Sequence, residues 1–137
     1  MASEPRRETA LVRASGEGVE LDRLGSNHDF CQKPYLEFLR APSLSMGLYA
    51  LAAGSRDTQR PHTEDEVYYV LEGRARLWVD DEDLAVEAGA VVFVEAGVED
   101  RFHSIEEDMK VLVFFAPAEH TRASGTMQST VQGNAAR

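Results

Sequence analysis

The chain is poor in several things, and each shortage excludes something. Cys31 is the single cysteine among 137 residues, so no internal disulfide can form. No apolar run approaches the ~18 residues of a membrane-spanning helix. The first eight residues, M-A-S-E-P-R-R-E, carry charge but no apolar core of a secretory signal. Together these absences make the cytoplasm the expected compartment and a membrane an unexpected partner. Basic charge is also short: 14 Lys and Arg stand against 24 Asp and Glu, a formal net charge of −10. Nucleic acid binding needs a basic face, so nucleic acid is not an expected partner, and the acidic balance reads as a solubilising surface. No G-x-S-x-G nucleophile turn occurs, and no Walker-type glycine-rich phosphate loop.

What is present is β-structure. Apolar residues make up 43% of the chain, enough for one domain with a real core. Residues 35–40 and 45–52 have strand composition, and the second is closed by Gly54 and the polar stretch 55–60. Residues 67–71 are β-branched and aromatic. Gly73 reads as a turn, and Ala75, Leu77 and Val79 then alternate with polar or bulky neighbours at a period of two. Further strands are expected at 84–86, 91–94, 101–105 and 111–115, with turns at 80–83, Gly89, Ala96-Gly97 and the acidic 106–108. Short strands at this spacing, without an amphipathic helix, predict an all-β sandwich or barrel. Residues 1–8 read as a flexible tail, 9–117 as one barrel with an N-terminal β-arm, and 118–137, small and polar, as a second disordered tail. Residues 91–94 and 111–115 are apolar on both faces. Something must cover the second face: the N-terminal arm, another sheet or a second subunit, and a homodimer is the favoured expectation.

The stretch 61–73, P-H-T-E-D-E-V-Y-Y-V-L-E-G, gathers the most chemistry. Thr63 and Glu66 have the spacing of a helix capping box. The β-branched and aromatic residues that follow, and the early Gly73, argue against a helix there. Glu64 and Asp65 read as solvent-facing.

These residues resemble the cupin superfamily, a small double-sheet jelly-roll barrel. The family's first motif is G-x5-H-x-H-x3,4-E-x6-G. Gly54, His62, Glu66 and Gly73 stand in its places, with Arg60 where the first histidine belongs. The second motif is G-x5-P-x-G-x2-H-x3-N. Gly89 and Gly97 keep its spacing, while Glu95, Asp100 and Ser104 replace the proline, histidine and asparagine.

The resemblance implies a pocket inside the barrel and a divalent metal. His62, Glu66 and Asp100 would be its ligands. Gln59 would join them if a bulge beside Pro61 turns it inward, and His103 if its strand is locally irregular. Such an oxygen-rich set suits Mn²⁺, Fe²⁺ or Mg²⁺, and imidazole also suits Zn²⁺ or Ni²⁺. Tyr68 shares strand parity with Glu66 and is expected in the pocket, with Tyr49 a second candidate. Arg60 cannot ligate a cation but can grip an anionic ligand. Two functions stay open. One is a metal-dependent oxygenase, isomerase or lyase acting on a small molecule. The other is a metal-free cupin that binds a small anion as a sensor or storage module, anchored by Arg60 with Arg101. In the plainest alternative, Asp100 only pairs with Arg60 or Arg101.

Overall fold

A computed structural model describes residues 20–24 and 27–121. The expected N-terminal tail and residues 122–137 lie outside the described part. Six strands form one antiparallel sheet: β1 Tyr35–Ala41, β2 Leu44–Leu51, β3 Asp65–Val79, β4 Glu82–Glu87, β5 Val91–Val94 and β6 Asp100–Ala116. Their order is β1-β2-β6-β3-β4, with β5 paired to β3. The fold is all-β, as the strand spacing predicts, and is the jelly-roll barrel that the resemblance implies. The capping-box reading fails as expected, since Asp65 already opens a strand. No described helix is long and apolar enough to cross a membrane.

The two long strands organise the rest. Residues 65–72 of β3 pair with β5 on one side and with the end of β6 on the other. Residues 74–79 pair with β4 and with the beginning of β6. The change of partner falls at Gly73, where the register with β6 shifts around Val70, Glu72, Arg74 and Arg76. Gly73 is therefore a bulge inside one strand rather than the turn its sequence suggests. Its φ of +99° suits glycine, and an added Cβ would lie 2.5 Å from the Asp108 carbonyl oxygen. The acidic residues 106–108 likewise lie within β6, not in a turn. Arg74 makes this tolerable by reaching across to both Glu106 and Glu107.

Strand alternation separates two cores. The inner one contains Tyr68, Leu77, Phe102, Val111 and Phe115. On the opposite face of the sheet, Phe38, Leu48 and Leu112 are buried beneath Leu24, with Leu21 and Phe30 packed alongside. Leu21, Leu24 and Phe30 thus cover the second face of 111–115, but from the 3-10 turn Leu21–Arg23 and the loop after it rather than from a β-arm, whose expected residues 9–19 lie outside the described part. On β5, by contrast, Val91 and Phe93 remain 66% and 59% exposed beside exposed Tyr69.

The barrel also continues beyond Pro117. Ala118 is buried, and its N–H donates to the Pro42 carbonyl. The Glu119 N–H donates to Ser45 Oγ and the His120 N–H to Glu64 Oε1. Glu64, read as solvent-facing, is in fact 1% exposed, because it also accepts from the Thr63 hydroxyl and ties the two chain segments together. Asp65 is spoken for as well, accepting the Ala96 N–H.

Candidate functional site

A cavity of about 90 Å³ opens inside the barrel, with polar groups from Tyr35, Tyr49, Gln59, His62, Glu66 and Tyr68 in its wall. Val113 and Phe115 supply the apolar side and Glu119 closes it. Each lining residue has a structural reason to be there. Glu66 and Tyr68 alternate inward on β3, Val113 and Phe115 on β6 pair opposite them, and Tyr49 comes from β2. Tyr35 lies directly over Gly47, where a Cβ would come within 2.2 Å of the Tyr35 ring, so only glycine leaves room for this wall.

His62 stands between two carboxylates. Its Nε2 is 3.1 Å from Glu119 Oε2 and its Nδ1 is 3.7 Å from Glu66 Oε1. Phe115 packs against the ring at a centroid distance of 4.6 Å. Burial alone would lower the His62 pKa, but the Glu119 hydrogen bond, the Glu66 charge wherever that group is ionised, and the charges of Glu119 and Asp100 raise it above its ordinary 6.5. Glu66, 2% exposed, is pushed up to about 8 by burial first and the Asp100 charge second, so it holds its proton at neutral pH. Asp100 lies behind the Tyr68 hydroxyl, which donates to its Oδ2 at 2.5 Å. Burial raises Asp100 to about 6, the Tyr68 bond holding it back, so it is ionised where Glu66 is not. Burial and mutual repulsion thus set the two carboxyl groups apart, Glu66 in the cavity wall and Asp100 behind Tyr68, outside the lining.

Asp57 is the hub that sequence reasoning missed. It is buried and accepts from the Tyr49 hydroxyl, the Gln59 backbone and amide, and the Phe102 N–H. Its loop composition gave no sign of this, since two of its partners, Tyr49 and Phe102, lie on β2 and β6. Asp57→Asn would replace one acceptor oxygen by a donor and leave a buried N–H or O–H without its partner. A loss of about 2 kcal/mol in urea unfolding is expected, with Tyr49 and Gln59 freed from the cavity wall.

The expected site residues divide as follows. His62 and Glu66 come together, and Tyr68 and Tyr49 join them. Gln59 does turn inward, but its amide is committed to Asp57 and to the Tyr68 hydroxyl 3.1 Å away. Asp100 pairs with Tyr68 rather than with Arg60 or Arg101. His103 faces outward, stacked on Trp78 and bonded to Asp83 at 2.8 Å. Arg60 is exposed and does not line the cavity, so the barrel has no anchor there for an anion. Glu119 and Tyr35 were not anticipated. Glu119 sits in a polar stretch with no strand signal, and Tyr35 reads as an ordinary strand residue.

The metal ligands that the resemblance implies do not assemble. Among the described residues, no three histidine, cysteine, aspartate or glutamate side chains are placed to hold one ion. The reasons are local: the two His62 nitrogens face different carboxylates, Tyr68 occupies Asp100, and His103 points away. In this arrangement the expected ligands do not gather about one point. Instead, three buried polar atoms have no hydrogen-bond partner among the described residues: Tyr35 Oη, His62 Nδ1 and Asp100 Oδ1. Tyr35 and His62 both line the cavity.

Known proteins place this barrel. The cupin domain family matches residues 47–115. The uncharacterized protein SCO3923 of Streptomyces coelicolor is 50% identical over 99 residues, spanning 72% of this chain and 94% of that protein. Among solved structures, TT1209 from Thermus thermophilus is 26% identical with a TM-score of 0.59, covering 72% of this chain and 95% of that one. The DMSP lyase DddQ from Ruegeria pomeroyi is 19% identical with a TM-score of 0.55, over 69% of this chain and 51% of that one, and shows the shared fold alone. With both motif regions inside the matched segment and a half-identical relative covered almost end to end, this chain belongs to the cupin family.

Proposed function

We propose that the barrel cavity binds a small, uncharged or cationic polar molecule and transfers a proton on it, in the manner of an acid–base isomerase or lyase. The observation that carries this reading is the pair of unpartnered polar atoms, Tyr35 Oη and His62 Nδ1, in a cavity that also holds Glu66. A buried polar atom without a partner costs about 1–3 kcal/mol, and a ligand that bonds to both relieves that cost. Glu66, protonated at neutral pH, is the proton donor. His62, held by Glu119, is placed to accept a proton or to steady the developing charge. The carboxylates and the lack of any Arg or Lys in the lining disfavour an anion. An oxygenase reading would need a metal, and the donors present do not gather one. The cavity is well below the size of a drug-binding pocket, so the ligand is small.

The test is a thermal-shift screen of small hydroxy, carbonyl and amine compounds beside carboxylates, with metal analysis of protein purified without chelator. Stabilisation by uncharged or cationic compounds is expected, lost in Tyr35→Phe and Glu66→Gln. Metal content below about 0.2 equivalents, with no uptake on titration, is expected too. Stoichiometric uptake of Mn²⁺, Fe²⁺, Zn²⁺ or Ni²⁺ that His62→Ala abolishes would overturn the metal-free reading, and stabilisation by carboxylates alone would overturn the choice of ligand.

A homodimer is proposed with it. Val91, Phe93 and Tyr69 form an exposed apolar patch that nothing among the described residues covers. Phe93→Glu together with Val91→Glu should convert a dimer to a monomer in light scattering at micromolar concentration. A wild-type protein that is already monomeric would contradict the proposal.

A further inference from the structure

We infer that the outer face of the barrel carries a second site, for a small molecule bearing a phosphate or carboxylate group. Between the loop after β2 and the first residues of β6 lies a groove of about 530 Å³, within the range of small-molecule sites. Ser55, Arg56 and Thr58 form one side, and Arg101, His103 and Ser104 the other. The chain is strongly acidic, and three arginines of the strands are taken up by that acidity: Arg40 pairs with Glu37, Arg74 with Glu106 and Glu107, and Arg76 with Asp83, while Arg60 has no such pair among the described residues but lies outside the groove. Arg56 and Arg101 have no ion pair or hydrogen bond among the described residues, yet both line this groove. Two unpaired guanidinium forks with the Thr58 hydroxyl beside them match the donors that hold an oxyanion, while the Ser55 hydroxyl is spent on the Ala52 carbonyl and the Ser104 hydroxyl on His103.

The nearest negative charges do not cancel the site. Asp57 also lines the groove; its charge opposes an anion, but its carboxylate is buried and turned to Tyr49, Gln59 and the Phe102 N–H, and two guanidinium charges outnumber it. Asp83 is committed to Arg76 and His103. The wall is also fixed in place. His103 is held by Asp83 and Ser104 and stacked on Trp78, and Ser104 adopts a φ of +51° that few residues other than glycine, asparagine and aspartate accept. This site is separate from the cavity and does not depend on the chemistry proposed there. The connection between them is structural: Asp57 and Phe102 belong to the groove, and they hold or pack against Tyr49 and Tyr68 of the cavity wall.

Trp78 gives a direct readout, because it is the only tryptophan, stacks on His103 and pairs across the strands with Arg101. Its fluorescence would be titrated with inorganic phosphate, glycerol phosphate and malonate at constant ionic strength, with chloride as the control. A saturable change with the phosphates or with malonate is expected, and which of them responds tells phosphate from carboxylate. Arg56→Gln and Arg101→Gln should each weaken it about tenfold. Arg60→Gln, on an exposed side chain outside the groove, should leave it unchanged. Both groove arginines are exposed and unbonded, so the variants should keep the wild-type melting temperature. Saturation with none of the three below about 10 mM, an equal response to chloride, or undiminished binding in the Arg56→Gln/Arg101→Gln double variant would overturn the site.

Discussion

Gly73→Ala is expected to cost the barrel about 3–4 kcal/mol, from a positive φ and a backbone clash together. Gly73 has a φ of +99°, and a Cβ there would lie 2.5 Å from the Asp108 oxygen and 2.8 Å from the Met109 Cα. Both neighbours are backbone atoms of β6 and cannot rotate aside. Gly89 is the internal control, with a φ of +97° and nothing within 4 Å of an added Cβ. Its alanine variant bears only the conformational cost, about 1–2 kcal/mol. Urea unfolding with equal slopes for both variants and the wild type would isolate the difference. Equal losses at the two positions would mean that the β3–β6 bulge is not packed as described. The bulge matters to the site because it lets one strand serve two purposes. Residues 65–72 carry Glu66 and Tyr68 into the cavity, while residues 74–79 place Trp78 beside the outer groove.

Glu66 is expected to make the fold less stable as pH rises from about 4.5 to about 8. The sign follows from the raised pKa. The folded state holds the Glu66 proton more tightly than the unfolded chain, so its advantage is complete below 4.5 and is lost as pH passes through about 8. At about 1.4 kcal/mol per pH unit, the loss is on the order of 5 kcal/mol. Asp100 and His62 are also raised and contribute in the same direction, as does the overall negative charge. Glu66→Gln separates these sources. The variant should match the wild type near pH 4.5 and exceed it by several kcal/mol at pH 8 and above. Parallel pH profiles for the two proteins would show that Glu66 ionises normally.

Much of the barrel could be read from strand spacing, and the failures have specific causes. A glycine with positive φ serves a turn and a bulge equally well, so Gly73 was ambiguous without knowing that β6 runs alongside. Residues 106–108 looked like a turn because three acidic residues in a strand need cations from another strand, and Arg74 supplies them across the ladder. Residues 111–115 are apolar on both faces because the N-terminal segment packs on one of them. That left the partner expectation resting on Val91 and Phe93 alone.

The site divides in the same way. Spacing paired His62 with Glu66, and parity placed Tyr68 beside them. The residues that decide the chemistry were set by distant contacts. Glu119 meets His62 across 57 positions, and Glu64 meets the His120 N–H across 56. Asp57 bonds Phe102 across 45. Motif spacing also carried over the family's metal ligands, but side-chain partners decide where those residues point. Tyr68 holds Asp100, and Asp83 with Trp78 holds His103 outside.

The most direct test of the acid–base reading is the carboxyl-carbon NMR titration of Glu66 in protein freed of metals by chelation, assigned with Glu66→Gln. A midpoint near 8, well above the ordinary 4.5, is expected. A midpoint near 4.5 would contradict it, because Glu66 would then be ionised at neutral pH and could not serve as the proton donor of the cavity.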